Sequence, residues 1–150
     1  MVAPYADYLV ASAAEEFALA WDYKEGIGDL VANPDMSVAD FGKEICDNFI
    51  AAMNASPDKH QTLSVTKLSD VAALVTAVDG FAQSLNTHMS AQFSGCIAPS
   101  RNRTVEYGWW DYHEGHFGYI DLRGFASNVA EMATEPALAT SANGLLSCCW

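Results

Sequence analysis

Basic residues are scarce in this 150-residue chain, which has 7 Lys and Arg against 19 Asp and Glu and a formal net charge of −12. Nucleic-acid backbones and anionic membrane surfaces would repel such a chain, and no basic cluster offsets the repulsion. We therefore expect no nucleic-acid partner. No apolar run reaches the ~20 residues that a membrane-spanning helix needs, so we also expect no membrane span. Basic partners, including a substrate that carries Lys or Arg, fit the charge.

Cysteine is also sparse and scattered, as Cys46, Cys96 and the adjacent pair Cys148 and Cys149. The spacing matches neither a CxxC metal motif nor the dense framework of a disulfide-stapled domain. Cys46 falls within a predicted helix, where a free cysteine usually packs as a small hydrophobe. The sequence therefore predicts no metal site and no resident cofactor, and leaves the redox state of the cysteines open.

Apolar residues make up 51% of the chain, which is enough for a packed core. Helices are indicated by apolar residues at helical spacing and by N-terminal caps, of which Ser37 with Asp40 forms the clearest capping box. The pattern predicts four main helices, over residues 22–33, 37–53, 70–89 and 121–132.

The sequence indicates fewer strands than a sheet covered by this many helices normally has. The run Tyr8–Ala11 predicts a buried strand and Thr62–Thr66 a second, half-buried one. Strands separated by long helices indicate a parallel α/β sheet, which normally has ~5 or 6 members, whereas two or three are visible here. We therefore expect part of a larger domain over residues 1–135, followed by a loose tail over 136–150.

The stretch Trp109–Tyr119 reads "WWDYHEGHFGY" and raises the question of a metal site. Asp111, His113 and His116 are ligand types, but their spacing is not that of a helical zinc motif. The interspersed glycines favour an irregular loop that packs its aromatic rings. The sequence predicts a structural, metal-free loop.

Several stretches carry a family resemblance in their order and spacing: "YADYLVAS", "WDY", "NPDMSVADFGKEICDNF", "TLSVTKLSDVAALV", "SRNRTVEYG" and "YIDLRGFASNV". Together they resemble the region that follows the catalytic cysteine in clostripain-like cysteine peptidases. The resemblance implies a caspase-like α/β/α sandwich, here a partial one with two or three strands. It also implies hydrolysis of peptide bonds after Arg or Lys, a secreted or cell-envelope location, and calcium dependence in some members.

The family's catalytic Cys belongs to an Asp-Ala-Cys motif about one helix upstream of the region that "YADYLVAS" matches. No Asp-Ala-Cys occurs in the 150 residues. We therefore expect no catalytic residue in this chain, and expect its partner to be an upstream catalytic half of the same protein. A substitute dyad would need a thiolate with a base in reach, which the sequence does not indicate for its cysteines and histidines: Cys46, Cys96, His60, His88, His113 and His116.

Substrate recognition is the role left to this chain. Ligands of open α/β sheets bind beyond the carboxyl ends of the strands, which points to the segment after the first strand. Ser12, Glu15, Glu16 and Asp22 are the candidate substrate-binding residues there, because a carboxylate suits a basic side chain. The family's Pro-Gly-x-Gly turn is replaced here by the residues 17–20, Phe-Ala-Leu-Ala, which have neither glycines nor charge. Solvated loop charges and a simple helix cap at Asp22 are the alternative interpretation.

Two functions follow from these patterns. The first is a fragment of a clostripain-like endopeptidase that contributes scaffold and an acidic wall to the pocket for Arg or Lys. The alternative is a non-catalytic acidic α/β domain that binds or interacts. If Tyr8–Ala11 is an interior strand whose neighbours lie upstream, it would expose an edge, so self-association through that edge is expected.

Overall fold

The computed structural model describes residues 4–13, 21–54, 62–111 and 116–148, without the side chains of residues 108–111 and 116–118. The described part is mixed α/β with helices predominating, which confirms the predicted fold class. No helix in these ranges is both long and apolar enough to cross a membrane. The strands are β1 (Tyr8–Ala11), β2 (Ser64–Lys67), β3 (Glu106–Asp111) and β4 (His116–Ile120), and the helices are α1 (Tyr23–Ala32), α2 (Val38–Asn54), α3 (Val71–Gln92), α4 (Ala98–Arg103), α5 (Leu122–Met132) and α6 (Pro136–Leu146).

Two of the predicted helix starts are capped as the sequence indicates. The Ser37 hydroxyl accepts a hydrogen bond from the Asp40 amide at 3.1 Å and donates one to the Asp40 carboxylate at 2.6 Å. At the start of α5, the Asp121 carboxylate accepts a bond from the Gly124 amide at 2.7 Å. These bonds satisfy amides that the first turn of a helix leaves without partners.

The chain divides into two compact units, one made of Met1–Ser69 with Tyr107–Gly118 and the other of Asp70–Glu106 with Tyr119–Trp150. In the first unit, β1 pairs with β2 in an antiparallel register that sets Tyr8 opposite Lys67 and Ala11 opposite Ser64. The expectation of a parallel sheet is therefore wrong for this pair. Two helices, α1 and α2, lie between β1 and β2 in the chain, whereas a parallel pair is typical of strands joined by a single crossover helix.

Strand β1 is half-buried rather than buried. Leu9 is 38% exposed, while Val10 is partly covered on the other face. The cover comes from α2, which packs on both strands. The apolar run therefore reads as a strand with one packed face, and the prediction of complete burial is wrong within the described residues.

A glycine sets the distance between α2 and the two strands. A Cβ atom built on Gly42 would lie 2.9 Å from Val65 Cγ1 and 3.5 Å from Val10 Cγ2. Atoms that close must shift, and the β-branched valine is stiff about χ1. The bare backbone at Gly42 lets α2 come this close to the strands.

In the second unit, α3, α5 and α6 surround a core of small, aliphatic and aromatic side chains. The rings of Phe81 and Phe125 meet in a tilted arrangement with centroids 5.9 Å apart. The buried members of the core are Phe81, Cys96, Ala126, Val129, Leu138, Ala142 and Leu145.

A buried amide fastens the end of α3 to the connection between α5 and α6. Gln92 is 7% exposed, and its side-chain NH₂ donates to the Thr134 hydroxyl at 2.8 Å while its carbonyl accepts from the Thr134 amide at 3.2 Å. Both ends of the amide are thereby satisfied, as a buried polar group requires.

The expectation of a loose tail over 136–150 is wrong for most of that segment, because Pro136–Leu146 forms α6. Proline at the first position suits a helix start, and Ala and Leu favour the helix interior. Leu138, Ala142 and Leu145 recur on one face and are fully buried. The small residues of this segment, which favoured a loose tail, instead permit close packing of α6.

The expectation of an irregular loop over Trp109–Tyr119 is also wrong where the structure describes it. β3 and β4 pair as a two-stranded sheet, and residues 112–115 between them lie outside the described residues. Aromatic residues favour strands, and this preference outweighs the glycines. With α4 and α6, the described structure has four strands and six helices, where two or three strands and four main helices were expected.

We predict that Gly42→Ala destabilises the first unit. The added methyl would press on Val65 at a cost of about 1–3 kcal/mol, which exceeds the gain of at most ~1 kcal/mol in helix propensity. Gly28→Ala is the matched control, since its Cβ on α1 meets nothing within 4 Å and the change should stabilise by roughly 0.5–1 kcal/mol. Urea denaturation compares the two variants. Equal stabilisation by both would contradict the close approach at Gly42.

Candidate functional site

A cleft opens between α1 and α2 in the first unit, with a cavity volume of about 90 Å³. On the α2 side it is formed by a row of apolar residues one turn apart, and on the α1 side by the first turns of that helix and the residues just before it. The lining residues are Trp21, Asp22, Tyr23, Gly26, Ile27, Phe41, Ile45 and Phe49.

The polarity of the cleft changes from its rim to its closed end. Asp22 and Tyr23 are exposed at the rim, and Tyr23 retains 71% of its accessible surface. Phe49 is 1% exposed and closes the inner end. The ring of Trp21 stacks on Tyr23 with centroids 6.2 Å apart and planes 19° from parallel, which adds a flat aromatic surface. The single carboxylate therefore stands at the mouth of an apolar cleft.

Asp22 holds the start of α1. Its Oδ1 atom accepts a hydrogen bond from the Glu25 amide at 3.1 Å, so the predicted cap is confirmed. The interpretation of Asp22 as a helix cap is thus correct, and its position on the cleft leaves the carboxylate able to meet a cation from solvent as well. Asp22 therefore caps α1 and also places a negative charge at the rim of the cleft.

The two helices that form the cleft are acidic. Residues 21–54 contain seven carboxylates and two lysines. Lys24 lies 3.5 Å from Glu25, and Lys43 donates a hydrogen bond to Asp47 that raises the pKa of the lysine. With both lysines beside carboxylates of their own helix, the surroundings of the cleft favour a positively charged ligand.

Of the other predicted substrate-binding residues, Ser12 is described and is not among the residues that line the cleft. Ser12 lies just after β1, where its hydroxyl is 3.2 Å from the Thr62 hydroxyl and the Ala13 amide donates to the same Thr62 oxygen at 3.3 Å. Ser12 therefore lies where the chain leaves β1, next to the residues that lead into β2. Glu15 and Glu16 lie outside the described residues.

Cys46 and Cys96 both lack the surroundings of a nucleophilic cysteine. Burial, followed by the negative charge of Asp47, raises the pKa of the Cys46 thiol above its usual value. Cys96 is fully buried, and its Sγ lies 3.8 Å from the Val129 carbonyl oxygen, which accepts from the thiol. A nucleophilic cysteine needs an accessible and electropositive position, and neither residue has one.

Histidines and metal ligands do not assemble in the described part of the chain. Among the described residues no group of three or more His, Cys, Asp and Glu side chains could hold a metal ion. His88 is half-buried on α3, His60 and His113 lie outside the described residues, and only the backbone of His116 is described. The predicted absence of a metal in the 109–119 stretch stays a prediction.

Sequence reasoning missed most of the cleft. Its α2 wall is the row Phe41, Ile45 and Phe49, which helical spacing assigns to a core. A second apolar pair, Tyr23 and Ile27 on α1, is the sequence signal that could have indicated the cleft. It adds apolar surface that the packing of α1 on α2 leaves partly uncovered. Ile27 remains 57% exposed.

Comparisons with known proteins give one finding. A family model described as the clostripain family matches residues 1–145. No curated protein and no solved structure matches the chain.

We predict that the two roles of Asp22 separate by substitution. Asp22→Ala removes the acceptor for the Glu25 amide and should lower the free energy of unfolding by about 0.5–2 kcal/mol. Asp22→Asn keeps an acceptor oxygen while removing the charge, so most of the stability should remain. Thermal unfolding of both variants measures the difference. An equal loss in the two would show that charge, and not the cap bond, holds the start of α1.

Proposed function

The chain belongs to the clostripain family, and from that premise we propose that it forms the part of a cysteine endopeptidase that follows the catalytic cysteine. In this proposal an upstream segment of the same protein supplies the Cys and His dyad. The present chain supplies scaffold and part of the substrate pocket. Membership of the family relates the chain to cysteine peptidases in general. Our proposal adds that the dyad and the substrate pocket come from different stretches of the same protein.

The observation that carries this proposal is the state of the described cysteines in a chain of this family. Cys96 is sealed in a core and the pKa of Cys46 is raised, whereas the reaction requires a thiolate at neutral pH. The Asp-Ala-Cys motif is absent from the 150 residues. A catalytic cysteine outside this chain accounts for both facts.

The scaffold role is supported by the small sheet of the first unit. β1 and β2 form a sheet of two strands, and α2 packs on both. A two-stranded pair is marginal by itself and needs either further strands or a helix packed on it, and here α2 covers one face. We propose that the pair is one side of a caspase-like α/β/α sandwich that the upstream half completes. Its strand edges would otherwise favour pairing between copies of the chain.

The substrate role is supported by the carboxylate at the mouth of the cleft. A side chain of Arg or Lys would bind Asp22 through a charge-assisted hydrogen bond, in an environment already rich in carboxylates. Glu15 and Glu16 stay candidates for the same acidic wall, and Ser12 for a position beside the strand end. An acidic domain that only binds basic peptides is the alternative, and it shares this surface.

We predict that the purified chain alone does not hydrolyse fluorogenic peptides that carry Arg or Lys at the scissile bond. The rate should equal that of the buffer blank, because neither Cys46 nor Cys96 is positioned as a nucleophile and the Asp-Ala-Cys motif is absent. Cys46→Ala is the matched variant and should show the same blank rate.

Turnover above the blank that disappears in Cys46→Ala or in Cys96→Ser would contradict the proposal. Alkylation followed by mass spectrometry gives an independent reading, because a raised pKa keeps the Cys46 thiol protonated at pH 7. Its reaction with iodoacetamide should be slow there and accelerate only above the ordinary thiol pKa of about 8.5. Fast alkylation of Cys46 at pH 6 would identify an activated thiolate.

A further inference from the structure

We propose that the cleft between α1 and α2 is an apolar subsite that takes one bulky apolar side chain of a peptide, while Asp22 holds a Lys or Arg close by in that peptide. The inference rests on the proposed function for the peptide as ligand, and on the cleft itself for the apolar residue. It adds a specificity for sequences in which an aromatic or large aliphatic residue stands beside the basic one.

The order of polarity in the cleft determines which side chain enters. A Lys or Arg that entered would bring its charge against the buried Phe49, while Asp22, the one carboxylate among the described lining residues, stays at the rim. Burying a charge without a partner is strongly unfavourable. An apolar side chain meets Phe41, Ile45 and Phe49 instead, and leaves the carboxylate of Asp22 for the cation at the rim.

The size of the cleft agrees with one side chain. A cavity volume of about 90 Å³ holds several water molecules, since one water needs roughly 10–15 Å³ in the same measure. A whole peptide would not fit, whereas the side chain of Leu, Met or Phe would. Water in an apolar cleft of this kind finds few hydrogen-bond partners, so its displacement favours binding.

The walls also expose apolar surface that a ligand would cover. Ile27 is 57% exposed and Tyr23 71% exposed on α1, next to the stacked ring of Trp21. The seven carboxylates and two lysines of residues 21–54 make a basic peptide a better match to this surface than a neutral or acidic one.

The test measures binding of three short peptides to the full chain. Ac-Phe-Arg-NH₂ should bind at least about tenfold more tightly than Ac-Gly-Arg-NH₂, because it buries the phenyl ring, and more tightly than Ac-Phe-Gly-NH₂, which lacks the cation. Methyl NMR reports the site, since Ile27 and Ile45 line the cleft and should shift, whereas Ile50 does not line it and should stay.

Two pairs of variants locate the apolar residue. Gly26 lines the cleft and a Cβ there has room at 3.8 Å from Ile45, so Gly26→Leu fills the cleft, while Gly28→Leu on the same helix points into open space. Ile27→Gln and Val31→Gln are a second pair at exposed positions, of which only Ile27 lines the cleft. The preference for Phe over Gly should vanish in Gly26→Leu and fall severalfold in Ile27→Gln, and should persist in both controls.

Several results would overturn the proposal. Equal affinity for the Phe-Arg and Gly-Arg peptides would reject the apolar subsite. If both affinities then fell in Asp22→Asn, the acidic wall of the proposed function would still be supported. A Phe preference that survives Gly26→Leu would place the ring elsewhere. A dimer in analytical ultracentrifugation that Gly26→Leu dissociates would make a second copy the occupant. Absence of binding by all three peptides would reject the subsite, while the turnover assay still decides the proposed function separately.

Discussion

The approach of α2 to the β1–β2 pair is the constraint on which the first unit depends. Gly42 permits it, because any side chain there would collide with Val65. Phe49 lies seven residues further along α2, almost two full turns, and is buried. The glycine thus determines where the apolar row of α2 stands, and that row forms one wall of the cleft whose other wall is α1.

The surroundings of the described cysteines and of the cleft agree with the binding role that we propose for the chain. Cys96 is buried and Cys46 has a raised pKa, while Asp22 lines an apolar cleft within a segment, residues 21–54, that carries seven carboxylates. A peptidase needs both a nucleophile and walls that position the substrate, and the two need not come from the same stretch of chain. Membership of the clostripain family and the missing Asp-Ala-Cys motif fit a chain that contributes walls.

Local features were predictable from the sequence and tertiary ones were not. The caps at Asp22, Ser37 and Asp121 follow from hydrogen bonds within one turn, and all three form. The antiparallel pairing of β1 with β2 is such a tertiary feature, because no residue pattern within a strand records the direction of its neighbour. The burial of α6 depends on what packs against its small residues. The cleft escaped prediction for the same reason, since Phe41, Ile45 and Phe49 form an apolar row whether or not a neighbour covers it.

The most direct test of the account is the coding sequence immediately upstream of this chain. If the chain is the post-catalytic part of a clostripain-like peptidase, the reading frame continues upstream. As the family resemblance implies, it then encodes an Asp-Ala-Cys about one helix before the "YADYLVAS" segment and the catalytic His further upstream. An in-frame stop codon, or an open frame without that motif, would contradict the account and leave an acidic binding domain.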